Sequence, residues 1–293
     1  MSAYYTATDI GHLCTREQVT LGVIGNPIAH SKSPQMQQAA LDAHGRPDRY
    51  VRLLAGTGVG EFEELLDLLS QHNFIGVNVT VPFKKKACAL AVETDRLSAL
   101  CGAANTLRRR SDGGWDAINT DGPGFATAIR ELSGRTLSEL NIVILGACGG
   151  AGSALATQCV LSDCRSLTLV NRPRPELAEL IDKLRPHNRG ILRSCHFHTE
   201  ELQTAVAQAD LVVNATSLGL REGEEMPLLP EWLQTGQIMY DIVTHDTPLQ
   251  RAAAERGCRT DNGLAMLLWQ GAYAYEYWFG DCPAIDLMRA ALS

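Results

Sequence analysis

The chain has 293 residues, 45% hydrophobic and 20% charged, with 26 Lys+Arg against 33 Asp+Glu for a net charge of −7. At roughly 100–200 residues per domain this length predicts two domains or one large one, and the apolar content excludes wholesale disorder. The acidic balance argues against nucleic acid or an anionic membrane surface as a partner, and no apolar run approaches the ~20 residues of a membrane helix.

In chain order, residues 1–11 lack a basic stretch leading into an apolar one, so they read as mature chain rather than a signal peptide. Residues 20–25 are strand-like and stop at Gly25 and Pro27. Residues 34–44 have helical character ending near Gly45. A short strand is predicted over 50–55. A helix follows over 60–71, where Phe62, Leu65, Leu66 and Leu69 fall at helical spacing. Residues 76–81 alternate as a strand, and 84–92 read as a helix. Residues 105–108 and 115–119 read as a hairpin around Asp112-Gly113-Gly114. From residue 140 the rhythm sharpens. A buried strand over 140–145 runs into a glycine-rich turn and a helix to Leu161. Strands follow over 166–170, 210–214 and 237–242, with helices over 175–184 and 247–256. This alternation predicts an α/β protein with a parallel sheet covered by helices on both faces. Residues 263–279 read as a final helix, too apolar to stand free, that packs against another domain.

The nine cysteines are odd in number and scattered, with no C-x-x-C pair, so neither a disulfide framework nor a zinc ribbon is predicted. They read as small apolar core residues of a reduced, cytoplasmic protein. Cys195-His196-Phe197-His198 reads as surface strand or loop, and no metal site is expected.

The turn Gly146-Ala147-Cys148-Gly149-Gly150-Ala151-Gly152, between a buried strand and a helix, suits a pyrophosphate. Glycines permit the tight turn and the backbone approach, and the helix N-terminus adds partial positive charge. An acid at the end of the next strand would hold a ribose hydroxyl and indicate NAD. Here Val170 is followed by Asn171-Arg172-Pro173-Arg174, whose guanidinium groups favour the 2′-phosphate of NADP, with a solvated loop as the bland alternative. In a G-x-G-x-x-G register from Gly146 the middle position is Cys148. Its Cβ narrows the phosphate space and leaves Gly149 and Gly150 to take over.

The first half carries polar groups that a packed core would not choose. Ser31 and Ser33 sit two apart before a helix, where capping is the simple alternative. Asn78 and Thr80 share one strand face. Lys84 lies at a strand-to-helix junction, at the head of a Lys84-Lys85-Lys86 run that alone would read as a solvated face. Asn105 and Asn119-Thr120-Asp121-Gly122 add polar groups at strand ends. Together they suit several hydroxyls and a carboxylate of a polyol acid.

Seven segments in order resemble the shikimate dehydrogenase family: residues 25–34 (GNPIAHSKSP), 78–84 (NVTVPFK), 102–106 (GAANT), 119–122 (NTDG), the turn at Gly146, 214–219 (NATSLG) and 263–270 (GLAMLLWQ). They span nearly the whole chain, and several motifs in order are far more specific than any one. The resemblance implies two domains: an α/β substrate domain with a mixed sheet over residues 1–120, completed by helices of 263–293 that return to it, and an NADP-binding Rossmann-type doubly wound domain over 121–262, with the active site in the cleft between. It implies reversible NADPH-dependent reduction of 3-dehydroshikimate to shikimate, in the shikimate pathway of aromatic amino acid biosynthesis. Lys84 and Asp121 are then the catalytic pair. Ser31, Ser33, Asn78, Thr80, Asn105, Asp121, Thr244 and Gln270 line the substrate. The turn from Gly146 to Ala151 holds the cofactor with Asn171, Arg172, Arg174, Thr216, Ser217, Ile242, Gly263 and Met266. Chemistry agrees: hydride transfer to a ketone leaves an alkoxide that needs a proton, and a Lys beside a carboxylate delivers it.

Some residues depart from the family pattern. Where the family commonly has a Tyr three residues after the strand Asp, this chain has Thr244, in a loop about two residues short. Pro173 replaces a residue that often donates a hydroxyl to the 2′-phosphate. These departures keep open an NAD-dependent quinate, shikimate or aminoshikimate dehydrogenase. A non-catalytic nucleotide-binding regulator is the alternative from another class, and retention of both Lys84 and Asp121 argues against it. The predicted assembly is a monomer or homodimer.

Overall fold

The computed structural model describes residues 4–16, 18–219 and 223–293, so the first three residues of the predicted mature start lie outside it. The chain divides into two compact units, Met1–Thr120 with Leu268–Ser293, and Asp121–Leu267.

The first unit is built on strands β1 (Val19–Gly25), β2 (Arg49–Leu54), β3 (Gly76–Val79), β4 (Glu93–Thr94), β5 (Thr106–Arg109) and β6 (Trp115–Ile118), in the order β2-β1-β3-β5-β6-β4. β1 pairs in parallel with β2 and β3. β5 runs antiparallel to both β3 and β6, so the sheet is mixed. Helices α1 (Ile10–Arg16), α2 (Ser33–Ala43), α3 (Glu61–Gln71), α4 (Lys84–Leu90) and α5 (Arg96–Cys101) complete this stretch. In α3 the predicted apolar face is the buried one, while Glu61, Glu63 and Glu64 stand in the first turn, where carboxylates complement the helix dipole.

The second unit opens with α6 (Asp121–Ser133) and continues β7 (Asn141–Leu145), α7 (Gly150–Leu161), β8 (Ser166–Val170), α8 (Pro175–Leu184), β9 (Ile191–Cys195), α9 (Glu200–Gln208), β10 (Leu211–Asn214), β11 (Ile238–Asp241), α10 (Pro248–Glu255) and β12 (Arg259–Asp261). Its sheet runs β9-β8-β7-β10-β11-β12, every pairing parallel. This is the doubly wound order that reverses between the first and fourth strands, here β7 and β10. Ligands of such sheets bind outside the carboxyl ends of the strands at that reversal.

Two predicted features need correction. Asn119 and Thr120 follow β6 at a strand end, but Asp121 and Gly122 begin α6 instead. Pro123 and the glycines either side of it are tolerated in this first turn, whose N–H groups have no intrahelical acceptor. The helix over 263–279 is α11 (Leu264–Phe279), and it is not the last: α12 (Ile285–Ala290) follows and packs on α2. The division between units falls inside α11, and its later residues dock on the first sheet. Trp278 Nε1 donates to the Leu107 carbonyl at 2.9 Å. A Cβ on Gly76 would run into that indole, which accounts for a glycine in a fully buried strand.

Candidate active site

In the first unit the polar residues gather at the ends of β1, β3, β5 and β6. Gly25 closes β1 so tightly that a Cβ there would lie 2.5 Å from Thr80 Cγ2. Thr80 follows β3, its N–H donating to Ile24 O at 2.8 Å. Ser33 opens α2, whose N-cap is Lys32 with no side-chain cap bond. The Ser31 hydroxyl oxygen accepts the Ser33 N–H at 3.3 Å, and the Ser31 carbonyl accepts Arg52 Nε and Nη2 at 2.9 and 2.6 Å. The serine loop is thus held from β2.

A buried network lies beneath. Tyr50 Oη donates to Asn78 Oδ1 at 2.7 Å, and Asn78 Nδ2 donates to Thr106 Oγ1 at 3.0 Å and Asn105 O at 3.3 Å. Asn105 Nδ2 donates to Thr120 Oγ1 at 3.0 Å and Gln270 Oε1 at 3.3 Å, while Asn105 Oδ1 accepts the Thr120 N–H at 2.8 Å. Buried amides and hydroxyls are tolerated only when bonded in this way. Asn78 is directed wholly at protein partners. Burial raises the Tyr50 phenol well above its ordinary range, so it stays a neutral donor.

Lys84 is the first residue of α4 and half-buried, with Lys85 exposed beside it. Three ammonium groups in one N-terminal turn oppose the helix dipole, at about 0.3–1 kcal/mol each. Lys86 reaches Glu63 at 3.8 Å. Asp121 stands where the dipole favours it, as the first residue of α6, bonded in sequence to Thr120.

In the second unit the predicted cofactor residues fall at the carboxyl ends of β7, β8, β10 and β11, with Gly263 and Met266 at the start of α11. Gly146 has φ +84°, a conformation that glycine adopts readily. The close strand–helix approach belongs to Gly152, three residues into α7, where a Cβ would run into the Gly146 carbonyl. Residue counting from Gly146 missed this role, because the turn is one residue longer than the register assumed. Cys148 lies before the helix, half-buried against the core, and Gly149 is exposed. A Cβ on Gly149 would meet nothing nearer than Gly146 O at 3.4 Å. The N-cap of α7 is that bare glycine, with no side-chain cap bond, so first-turn N–H groups are presented to a ligand. Arg172 and Arg174 are exposed at the end of β8. Backbone donors, a helix N-terminus and two guanidinium groups make a donor set that fits a phosphorylated dinucleotide.

Thr216 and Ser217 follow β10, the former donating its N–H and Oγ1 to Asn214 Oδ1 at 3.0 and 2.6 Å. Ile242 and Thr244 follow β11, and Gly263 N–H donates to Val243 O at 2.7 Å. Met266 is buried in the core. Asn171 N–H donates to Cys195 O at 3.4 Å, and His196 Nδ1 lies 3.1 Å from Asn171 O. Cys195 is the last residue of β9, with exposed loop after it. Among the described residues no group of three His, Cys, Asp or Glu is placed to hold a metal ion, and no helix is long and apolar enough to cross a membrane.

A doubly wound parallel sheet with a glycine turn after its first strand is the architecture of the dinucleotide-binding class of proteins. Comparison with known proteins narrows it. A family model for the shikimate dehydrogenase substrate binding domain matches residues 23–107, and one for the shikimate 5'-dehydrogenase C-terminal domain matches 263–292. The chain is 36% identical over 286 residues to shikimate dehydrogenase (NADP(+)) of Rubrobacter xylanophilus, covering 94% of this chain and 96% of that one. The shikimate 5-dehydrogenase of Thermus thermophilus, solved with NADP(H) and shikimate, superposes with a TM-score of 0.80 at 30% identity over 93% of this chain and 97% of that one. Quinate dehydrogenase from Corynebacterium glutamicum, solved with NAD, gives 0.82 at 27% over 94% and 98%. The chain belongs to the shikimate dehydrogenase family.

Proposed function

We propose that this protein is a cytoplasmic NADP-dependent shikimate dehydrogenase, reversibly reducing the ketone of 3-dehydroshikimate. The observation that carries the reading is the buried Asn78–Asn105–Thr120–Gln270 network, which ends at the residue preceding Asp121 and holds amides and hydroxyls where a packed core would hold apolar groups. The nicotinamide nucleotide, when bound, supplies the hydride. The chain supplies the rest. Ser31, Ser33, Thr80 and Gln270 orient the cyclic acid through its carboxylate and hydroxyls. The Lys84 ammonium donates a proton to the oxygen that becomes the alcohol, and the Asp121 carboxylate steadies that ammonium and accepts from a substrate hydroxyl. Arg172 and Arg174 hold the 2′-phosphate. The first-turn N–H groups of α7 take the pyrophosphate.

The test is nicotinamide reduction with shikimate, quinate and an aminoshikimate, each with NADP and NAD. Fastest turnover of shikimate with NADP is expected, and replacing Arg172 and Arg174 with Ala should cut kcat/KM for NADP at least about tenfold while sparing NAD. Lys84→Ala should lower kcat far more than it raises the substrate KM. Equal turnover in that variant removes Lys84 from the mechanism. Thr244 favours a second reading, quinate or a substituted shikimate as preferred substrate, because a threonine leaves more room than the aromatic residue common in the family.

A further inference from the structure

The carboxylate of Asp241, the last residue of β11, is fully buried. Its Oδ2 accepts Asn214 Nδ2 at 3.0 Å and Thr247 Oγ1 at 3.2 Å, and its Oδ1 accepts the Val243 N–H at 3.3 Å. Each donor leads to a different piece of the sheet's carboxyl edge. Asn214 passes the connection to the loop after β10, since its Oδ1 takes both donors of Thr216 and its Nδ2 also donates to Leu218 O at 3.3 Å. Val243 passes it to the start of α11, because Val243 O accepts the Gly263 N–H and a Cβ on Gly263 would run into Ile242 O. Thr247 fixes the far end of the same loop, accepting the Gln250 N–H at 3.3 Å as the N-cap of α10.

Burying a carboxylate is unfavourable unless specific donors hold it, and burial here raises its pKa against the opposing hydrogen bonds. An amide would not replace it. Both oxygens face donors, so an asparagine NH₂ would confront either Val243 N–H or the Asn214 and Thr247 donors. An all-acceptor group at one buried point thus sets the spacing of Thr216, Ile242 and Gly263.

We propose that Asp241 is the positioning residue that holds the β10 and β11 loops in the arrangement required to bind the nicotinamide nucleotide, without itself touching it. The inference rests on the proposed function for the identity of that ligand. The test measures NADP binding directly by titration of the full-length protein, without cyclic acid, alongside steady-state kinetics. Wild-type protein that fails to bind NADP overturns the functional reading itself. With wild-type binding established, Asp241→Asn is expected to weaken NADP binding about tenfold and to raise the KM for NADP by the same factor, with kcat at saturating NADP changed less than about threefold. Thr247→Val, a milder change that covers the case in which Asp241→Asn does not fold, should weaken binding about threefold, and Thr247→Ser should restore it. Folded Asp241→Asn protein that binds NADP within about twofold of wild type overturns the proposal. So does Thr247→Val behaving the same as Thr247→Ser.

Discussion

Asn105 Nδ2 lies 3.3 Å from Gln270 Oε1, a hydrogen bond between residues 165 positions apart. It ties α11 to the end of the β5–β6 hairpin, where Thr120 and then Asp121 follow. Gln270→Ala removes one acceptor from a network that keeps its other bonds, so the fold should survive. The expected outcome is a rise of about tenfold in KM for the cyclic acid with little change in KM for NADP. Steady-state kinetics with each substrate varied in turn checks this. An unchanged KM for the acid would remove Gln270 from the substrate site.

Tyr50 tests the support beneath that site. Tyr50→Phe removes one hydroxyl and leaves Asn78 Oδ1 without its 2.7 Å donor. An unsatisfied buried acceptor destabilises by about 1–3 kcal/mol. Urea unfolding should show a lower midpoint with an unchanged slope, because the buried surface is the same. A midpoint equal to wild type would mean that the phenol contributes nothing to holding Asn78.

Much of this was legible in the sequence. The alternating strands and helices after residue 140 and the buried face of α3 follow from periodicity, since apolar burial imposes the period. The α6 helix went unread because Gly122-Pro123-Gly124, weak helix formers, make up its first turn. The parts of the site that escaped were those defined by distant partners. Nothing local to Tyr50 announces that its hydroxyl meets Asn78, and nothing local to Gly152 distinguishes it from the other glycines of its turn. The space a Cβ would need is taken by the carbonyl of Gly146, and only the fold brings the two together.

The glycine turn can be dissected accordingly. In Gly152→Ala the new methyl group meets the backbone of Gly146 and Ala147, which cannot rotate away, so α7 must move. Overpacking of this kind typically destabilises by about 1–3 kcal/mol. Gly149→Ala is different, because φ is −69° there and the nearest atom lies at 3.4 Å. That variant should melt like wild type and yet lose NADP affinity, if phosphate approaches the bare N-cap. Thermal melts and nucleotide titration on the pair separate packing from binding. Wild-type NADP affinity in Gly149→Ala would place the pyrophosphate elsewhere.

The buried thiols give the second unit an alkaline limit. Burial pushes Cys164 and Cys195 from an ordinary 9.0 up to about 11 each, and raises Cys159 well above its ordinary value too. Between these values the folded chain keeps protons that the unfolded chain has released. Stability then falls as pH rises. The contribution is complete below about pH 9 and is lost progressively towards about pH 11. Urea unfolding at about pH 7.5, 9 and 10.5 should show this decline, and Cys164→Ala with Cys195→Ala should flatten it, whatever the packing defect does to stability at neutral pH. A thiol reagent at about pH 8 should label the exposed Cys282 first, with the buried thiols reacting only as the protein unfolds. Rapid labelling of Cys164 in folded protein would contradict the burial from which the alkaline limit is argued.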